Sequence, residues 1–470
     1  MENLKLAWRN LWRNKRRTLI TVASVFFAVF FALSMRSLQL GSYDVMFKNI
    51  IESYTGYVQV QHNDFWDDKT IDNLIKFTPE LEAAILEDKN VNETVMKIES
   101  FALASSGPQS KGVLVMGIDP LKEKYVSDIE SKLIKYILSE EAIKGLKREN
   151  IPEELKEQLD IFNNSAYSTT ARLQLDLGID DEDFPELIPL FDKHASFESG
   201  YLESGKQQVV VGYKVAQYLH LELGDTLILI GQGYHGVSAA GKFEITGVVK
   251  MPSPDIDSRV VYIPVDIAQE FYDCPDMLTS LALQVNDNDD EAIYETVSRL
   301  TEKLGDDYAV LGWQKMNELM VQQMEADNQQ GYIMIIILYM VIAFGIFGTV
   351  LMMTAERRRE FGVLVSIGMQ KTKLAIIVTY EMMMMGLLGI LSGVAAGIPL
   401  IWWGLDHPIR FSGEMAKVYE DMGFEPIMAF QPFDTYFYNQ AMIVFLIVLV
   451  AMSYPVRKIS KLDVIEALRA

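Results

Sequence analysis

The chain has 470 residues, 50% of them hydrophobic, with a mean hydropathy of +0.11 and a formal net charge of −22. It is too apolar for an ordinary acidic soluble protein, and its 23% of charged residues exclude a chain that lies wholly in a membrane. The acidic balance argues against nucleic acid as a partner, and a single cysteine excludes an internal disulfide framework. We therefore expect membrane spans together with a folded polar domain.

The chain begins with a short stretch in which apolar and basic residues recur at helical spacing. The apolar stripe is Leu4, Ala7, Trp8 and Leu11, and the basic stripe is Lys5, Arg9, Arg13 and Arg16 or Arg17. Tryptophan and basic side chains both suit the headgroup region of a membrane. Residues 1–17 are therefore predicted to form a cytoplasmic amphipathic helix in the interface, with basic residues that only stop translocation as the alternative.

Four apolar stretches are long enough to cross a bilayer, which needs about 20 residues. The predicted spans are 18–40, 331–355, 374–405 and 435–456. The flanks 1–17, 354–373 and 455–470 together hold 15 basic and five acidic residues, whereas the rest of the chain holds 27 basic and 59 acidic ones. Because basic flanks stay in the cytoplasm, both termini are predicted to be cytoplasmic. The predicted cytoplasmic parts are 1–17, 356–373 and 457–470, and the predicted outer parts are 41–330 and 406–434.

The fold predicted from these patterns is an α-helical membrane protein with four transmembrane helices and a large α+β extracytoplasmic domain between helices 1 and 2. Apolar and polar residues alternate at 57–61 and 243–249 as in half-buried strands, and 291–304 has the spacing of a helix. Residues 122–160 are rich in Lys, Glu and Leu, which indicates helices. The predicted division is one subdomain from 41–118 with 281–330 and an inserted subdomain at 119–280.

The junction between this domain and the second span is predicted to be stiff. Residues 306–330 contain no proline and one glycine, Gly312. A helix at 313–329 that continues into the second span would act as a lever. A helix that only packs against the outer core is the alternative.

The strongest motif lies in the loop between the second and third spans. In residues 355–369 a charged helix start is followed by an apolar stripe of Phe361, Leu364, Val365 and Gly368. A short amphipathic helix of this kind suits docking into a groove on a soluble partner. A plain turn at the membrane interface is the alternative.

This segment resembles the Glu-Arg-x-x-Glu-Phe-Gly-x-Leu-x-x-Ile-Gly signature of FtsX/MacB-like ABC transporter permeases, the type VII group that includes the LolC/LolE lipoprotein-releasing branch. Residues 7–18, 209–226 and 462–469 are similar to the same family. The resemblance implies a homo- or heterodimer of permeases with a cytoplasmic ABC ATPase dimer, which binds the ATP and Mg. It also implies a coupling helix with the ATPase-coupling residues Glu356, Arg357, Arg358, Glu360, Phe361, Leu364, Ile367 and Gly368.

The third span combines small residues with one acid. Its glycines are Gly386, Gly389, Gly393 and Gly397. Small residues let helices approach closely in lipid, which predicts packing either against spans two or four or against a second permease. Glu381, at the cytoplasmic edge, is expected either to pair with a nearby Arg or Lys or to act in coupling.

The sequence contains no Gly-x-x-x-x-Gly-Lys-[Ser/Thr] nucleotide-binding loop and no hydrolase motif, so the chain is predicted not to be an enzyme, although its complex would be an ATPase. Its five histidines are scattered, and no metal or other cofactor is expected on it. We predict a permease of the bacterial inner membrane that extracts or extrudes a substrate, with a lipoprotein or lipid-linked molecule as the leading candidate. An FtsX-like regulator that activates a periplasmic partner, such as a cell-wall hydrolase, is the alternative.

Overall fold

The structure is a computed structural model, and it describes residues 2–13, 15–411, 415–416, 418–419 and 425–469. The chain divides into two compact units. The membrane unit consists of 1–45, 322–410 and 427–470, and the sheet unit consists of 46–321 and 411–426. The predicted outer loop 406–434 lies partly outside the described residues.

Four helices are long and apolar enough to cross a membrane, so the four predicted spans are confirmed as candidate membrane helices. The span helices are Lys15–Ile50, Glu318–Glu356, Lys371–Asp406 and Thr435–Ser460. Three shorter helices accompany them: an N-terminal helix at Glu2–Arg13, a linker helix between the second and third spans at Arg358–Ser366, and a C-terminal helix at Val464–Arg469. The span helices exceed the apolar runs because polar residues at their ends continue the helical backbone.

The sheet unit is built around a nine-stranded sheet. The strands among the described residues are β1 Val58–Gln61, β2 Ile75–Lys76, β3 Val91–Ser106, β4 Gln109–Ile118, β5 Tyr136–Ile137, β6 Ala166–Tyr167, β7 Gln208–Gly212, β8 Thr226–Gln232, β9 Ser238–Val249, β10 Val260–Pro264, β11 Met277–Leu278, β12 Ser280–Val285, β13 Ala309–Gly312, β14 Ile409–Arg410 and β15 Ile427–Met428. The order of strands in the large sheet is β13-β1-β12-β3-β4-β10-β7-β9-β8. Most neighbours are antiparallel, with β10–β4 and β7–β9 parallel. The end strand β8 also pairs with β3, which closes six strands into a ring.

The helices of the sheet unit cover this sheet or form a separate cluster. They are Pro79–Leu86, Glu140–Leu146, Glu153–Ile161, Thr170–Asp176, Phe184–His194, Tyr213–Leu219, Pro254–Asp257, Val265–Phe271, Asp290–Leu304 and Trp313–Met316. Buried residues between Tyr136 and Ala195 form a core of their own. The predicted division at 119–280 differs from this arrangement, because β7 to β10 join the main sheet through long-range pairing and only the helical part has its own core.

The helix predicted before the second span is interrupted once. A short helix at Trp313–Met316 ends at Asn317, whose side-chain amide donates a hydrogen bond of 2.9 Å to the Trp313 carbonyl. From Glu318 the helix then runs for 39 residues to Glu356. The helix of the second span therefore begins well before residue 331. Asn317 is the one residue between it and the short helix at Trp313–Met316.

Candidate functional site

The linker helix begins immediately after the second span helix. The span ends at Glu356 and the linker starts at Arg358, so Arg357 is the single residue between them. Arg357 has φ −91° and ψ 3°, which departs from helical geometry and lets the chain change direction. Its backbone N–H donates to Met353, and its carbonyl accepts from the N–H of Phe361, so both helices remain hydrogen-bonded through it.

The linker helix ends in a glycine that the backbone requires. Gly368 has φ +105°, a conformation that side chains disfavour, and a Cβ there would meet no atom within 4 Å. The N–H of Met369 donates to the Leu364 carbonyl, and that of Gly368 donates to Val365. These two bonds form a Schellman motif that stops the helix. The predicted coupling residue Gly368 thus has a structural reason to be glycine.

The predicted apolar stripe of the linker helix faces its own membrane unit. Phe361 is only 2% exposed, and Leu364 and Val365 are half-buried in the same core. The exposed side instead carries Arg359, Val363 and Ile367 at four-residue spacing, with Ile367 79% exposed. Sequence reasoning included Ile367 but missed Val363 and Arg359, although their spacing alone could have indicated a second stripe. The exposed face is called the linker face below.

A chain of alternating charges connects the linker helix to two other helices. Arg357 Nη1 donates to both carboxylate oxygens of Glu381, at 2.8 and 2.7 Å. Its Nε lies 3.4 Å from Glu360 Oε2, and Arg13 Nη2 lies 2.7 Å from the same oxygen. The inner pair is buried, with the Arg357 and Glu381 side chains 7% and 3% exposed, whereas Arg13 and Glu360 are about half exposed. Glu381 therefore has an arginine partner, while its role in coupling stays a prediction.

The C-terminal helix packs beside the linker helix. Arg358 Nη2 lies 2.7 Å from Glu466 Oε2, and Ala467 is fully buried in the core that contains Phe361. Asp463 caps this helix by accepting from the backbone N–H of Ile465 at 2.9 Å. The remaining predicted coupling residue, Glu356, is exposed at the end of the second span helix.

The glycines of the third span helix pack within the chain. A Cβ added at Gly389 would lie 2.5 Å from Val25 Cβ, and one at Gly393 would lie 2.9 Å from the Phe26 carbonyl oxygen. A Cβ at Gly386 would meet Val448 of the fourth span helix at 2.7 Å, and one at Gly397 would approach Leu33 at 3.7 Å. The stripe thus receives the first and fourth span helices, whereas the sequence predicted spans two or four or a second permease. The first span fits because its β-branched valines fill the groove left by the missing side chains.

The N-terminal helix divides its predicted apolar stripe between two environments. Ala7 and Leu11 are fully buried, whereas Leu4 and Trp8 are about half exposed, together with Trp12. The ring centroids of Trp8 and Trp12 are 5.8 Å apart in an edge-on arrangement. One side of the helix is therefore buried within the protein, and the other side exposes aromatic rings. The position of the helix in a membrane interface stays a prediction.

Both the membrane helices and the sheet unit are similar to known proteins. Residues 332–464 match the FtsX-like permease C-terminal family model, and residues 18–300 match the MacB-like periplasmic core domain model. Among curated proteins, the "Lipoprotein-releasing system transmembrane protein LolC" of Neisseria meningitidis serogroup B is 22% identical over 293 residues, which cover 60% of this chain and 70% of that one. The LolC of Xylella fastidiosa (strain Temecula1) is 22% identical over 209 residues, which cover 43% of this chain, so the match spans about half (49%) of that relative.

A solved structure is also similar to part of the chain. The periplasmic region of MacB from Actinobacillus actinomycetemcomitans aligns at 12% identity with a TM-score of 0.30, covering 57% of this chain and 94% of that one. Among the described residues, no group of three or more His, Cys, Asp or Glu side chains could hold a metal ion.

Proposed function

The chain belongs to the family of FtsX-like permeases with a MacB-like periplasmic core domain, and from this premise we propose that a separate ATPase drives it through the linker helix. As an ABC transporter permease it requires a source of ATP hydrolysis, and its sequence contains no phosphate-binding loop of its own. In this proposal a cytoplasmic ATPase dimer binds ATP and Mg, and the chain pairs with a second permease, either identical or related.

The observation that carries the proposal is the linker face. Val363 and Ile367 expose apolar side chains on a two-turn helix beside the basic Arg359. The opposite face is already occupied by the membrane unit, so the exposed face is the one available to a partner. Short helices bind partners by placing such an apolar stripe in a groove.

The proposed cargo is a lipoprotein or another lipid-linked molecule at the outer face of the inner membrane. This part of the proposal is supported by the two LolC relatives, whose name describes a lipoprotein-releasing system. A lipid-anchored substrate also suits a protein with only four candidate spans among its described residues, because such a substrate is removed from the membrane surface and needs no wide aqueous pore.

A second candidate function is favoured by the length of the helices. The first span helix runs from Lys15 to Ile50 and continues as a π-helical turn to Thr55, and the second begins at Glu318. Stiff helices of this length support a relay in which ATP-driven motion of the linker helix moves the outer domain. Such a motion would act on a periplasmic partner such as a cell-wall hydrolase, and no lateral entry of substrate would be needed.

The substitution Ile367→Asp tests the docking role of the linker face. It places a carboxylate in the proposed apolar groove, where an unpaired charge costs several kcal/mol and weakens binding by at least about 100-fold. We expect the affinity-purified permease to lose its ATPase, while the amount of inserted permease stays at the wild-type level because Ile367 makes little contact within its own chain.

Two control variants separate loss of docking from loss of folding. Ile367→Leu keeps the apolar surface and should retain the ATPase. Leu364→Asp, on the inner side of the helix, should instead reduce the amount of folded permease. Retention of the full ATPase complement in the Ile367→Asp protein would exclude the linker face as the docking surface.

A further inference from the structure

We propose that Arg357 is a positioning residue that transmits motion of the linker helix to the second and third span helices together, an inference that rests on the proposed ATPase-driven function. Arg357 is the only residue between the second span helix and the linker helix. Its side chain bonds to Glu381, which lies ten residues into the third span helix. One residue therefore joins three helices, through its backbone on one side and its guanidinium on the other.

The charges around Arg357 make this joint specific. Its guanidinium lies between Glu381 and Glu360, and Glu360 in turn lies beside Arg13. Two positive and two negative groups alternate, so the cluster is neutral when complete. Removal of one member of the buried pair leaves a charge without its partner, which is costly in a low-dielectric site.

Arginine is suited to this position and lysine is not. The planar guanidinium presents its donors in a fixed fork, so one group can reach both Glu381 and Glu360. Its carbon atom also lies 5.2 Å from the centre of the Phe361 ring, on the first turn of the linker helix. A lysine ammonium has a single charged centre and cannot keep these three contacts in one geometry.

The apolar surroundings keep the joint closed. Apart from the pair itself, the small space beside it is lined by Phe361, by Thr354, whose hydroxyl donates to the Val350 carbonyl, and by the apolar side chains of Val350, Met353, Val378 and Met382. Water therefore has little access to compete for the hydrogen bonds of the guanidinium, and rotation of the linker helix would pull Glu381 with it.

A purely structural role makes a different prediction from a transmitting role. A buried ion pair can often be replaced by neutral residues of similar size without loss of stability. The double variant Arg357→Met with Glu381→Gln removes both charges, leaves neither unpaired and keeps the volume approximately constant. If the pair only stabilises the fold, this variant should behave as the wild type; if it transmits motion, the variant should fold and fail to respond to ATP.

The experiment follows residue 330, which directly precedes the predicted second span 331–355, in the full chain bound to its co-purifying ATPase. A Gln330→Cys substitution introduces an exposed thiol there, and the native Cys274 is fully buried. The measurement is the ratio of labelling rates by a membrane-impermeant maleimide with and without ATP and vanadate. We expect the ratio to depart from one by at least about threefold in the wild-type background and to return to one in the double variant, with the same amount of bound ATPase.

Two further variants complete the test. Arg357→Lys keeps the charge and should give a ratio between the wild-type value and one, because it loses the forked contact. Lys206→Ala, which removes an exposed ion pair with Glu203 in the sheet unit, should retain the wild-type ratio because exposed ion pairs contribute little.

The outcomes distinguish this inference from the proposed function. A wild-type ratio in the double variant overturns the role of Arg357, and if that variant does not insert, a wild-type ratio in Arg357→Lys overturns it equally. A wild-type complex that binds ATPase but gives a ratio of one overturns the relay and the role of Arg357 within it. Failure of the wild-type permease to bind any ATPase refutes the proposed function itself.

Discussion

The sheet unit and the membrane unit each bury an ion pair, and they hold it differently. In the sheet unit, Lys97 Nζ lies 3.0 Å from Glu123 Oε1, with both side chains at most 3% exposed. The other carboxylate oxygen of Glu123 has no hydrogen-bond partner in the described part of the chain. In the membrane unit, by contrast, both oxygens of Glu381 are bound by Arg357.

The two pairs also join different kinds of structure. Lys97 lies within β3, and Glu123 begins a single 3₁₀ turn shortly after β4, so both belong to one continuously packed region. Arg357 lies at a junction between helices and reaches a third helix. Burial of a charged pair is costly in both places. The two pairs therefore differ in position rather than in burial, and the role proposed for Arg357 rests on its place between three helices.

The largest expected effect concerns the side of the membrane on which each region lies. A cysteine at Ser204 of the sheet unit should be labelled by an impermeant thiol reagent in intact spheroplasts, and one at Ser366 of the linker helix should not, because basic flanks stay inside. The native Cys274 gives no background at neutral pH, since burial raises the pKa of its thiol to about 11. Labelling of Ser366→Cys but not Ser204→Cys would reverse the topology and refute the docking proposal.

A second prediction concerns a flexible insertion between the two units. Insertion of Gly-Ser-Gly-Ser after Val321 interrupts the second span helix near its start, where the chain passes from one unit to the other. Flexible residues absorb rotation without transmitting it, so we expect full ATPase binding but no ATP-dependent complementation of a strain that lacks the permease. A four-residue helical insertion, Ala-Glu-Ala-Lys, is the matched control and should retain part of the activity. Equal activity of both insertions would favour lateral substrate entry over a relay.

The smallest expected effect on the ATP-dependent labelling ratio comes from changes to the buried Lys97–Glu123 pair in the sheet unit. Lys97→Met leaves Glu123 buried without its cation and should lower the free energy of unfolding by about 3–5 kcal/mol, measured by thermal unfolding of the full chain in detergent. The labelling ratio of the molecules that remain folded should nevertheless equal the wild-type ratio. Addition of Glu123→Gln should restore most of the stability. A change in the labelling ratio would show that the sheet unit's pair also transmits motion.

The sequence predicted features that depend on local patterns. The four span helices follow from uninterrupted apolar runs, and the linker helix follows from a charged start and an apolar stripe at helical spacing. The inner and outer faces of the linker helix were not predicted, because burial depends on contacts with distant residues such as Ala467. The apolar stripe that sequence assigned to a partner is the one that the membrane unit covers.

Long-range pairing explains the other differences. The pairing of β3 with β8 joins Ala102 to Gly231, and no local pattern indicates a contact over that separation. Likewise, a nearby basic partner for Glu381 was predicted, but the sequence alone does not distinguish among the three successive arginines of the linker region. In the structure Arg357, the residue at which the chain changes direction, is the arginine that donates to Glu381 of the third span helix.

If the linker face docks the ATPase as proposed, the two sides of the linker helix should be subject to different evolutionary constraints. Gly368 limits the helix to nine residues, about 13 Å, so two turns carry both an internal surface and an external one. Residues such as Phe361 should vary only together with other positions of the same gene. Val363 and Ile367 should vary together with the residues that line the docking groove of the ATPase. A permease could therefore acquire a different ATPase by substitutions on the exposed side alone, without any change to the packing of its membrane helices.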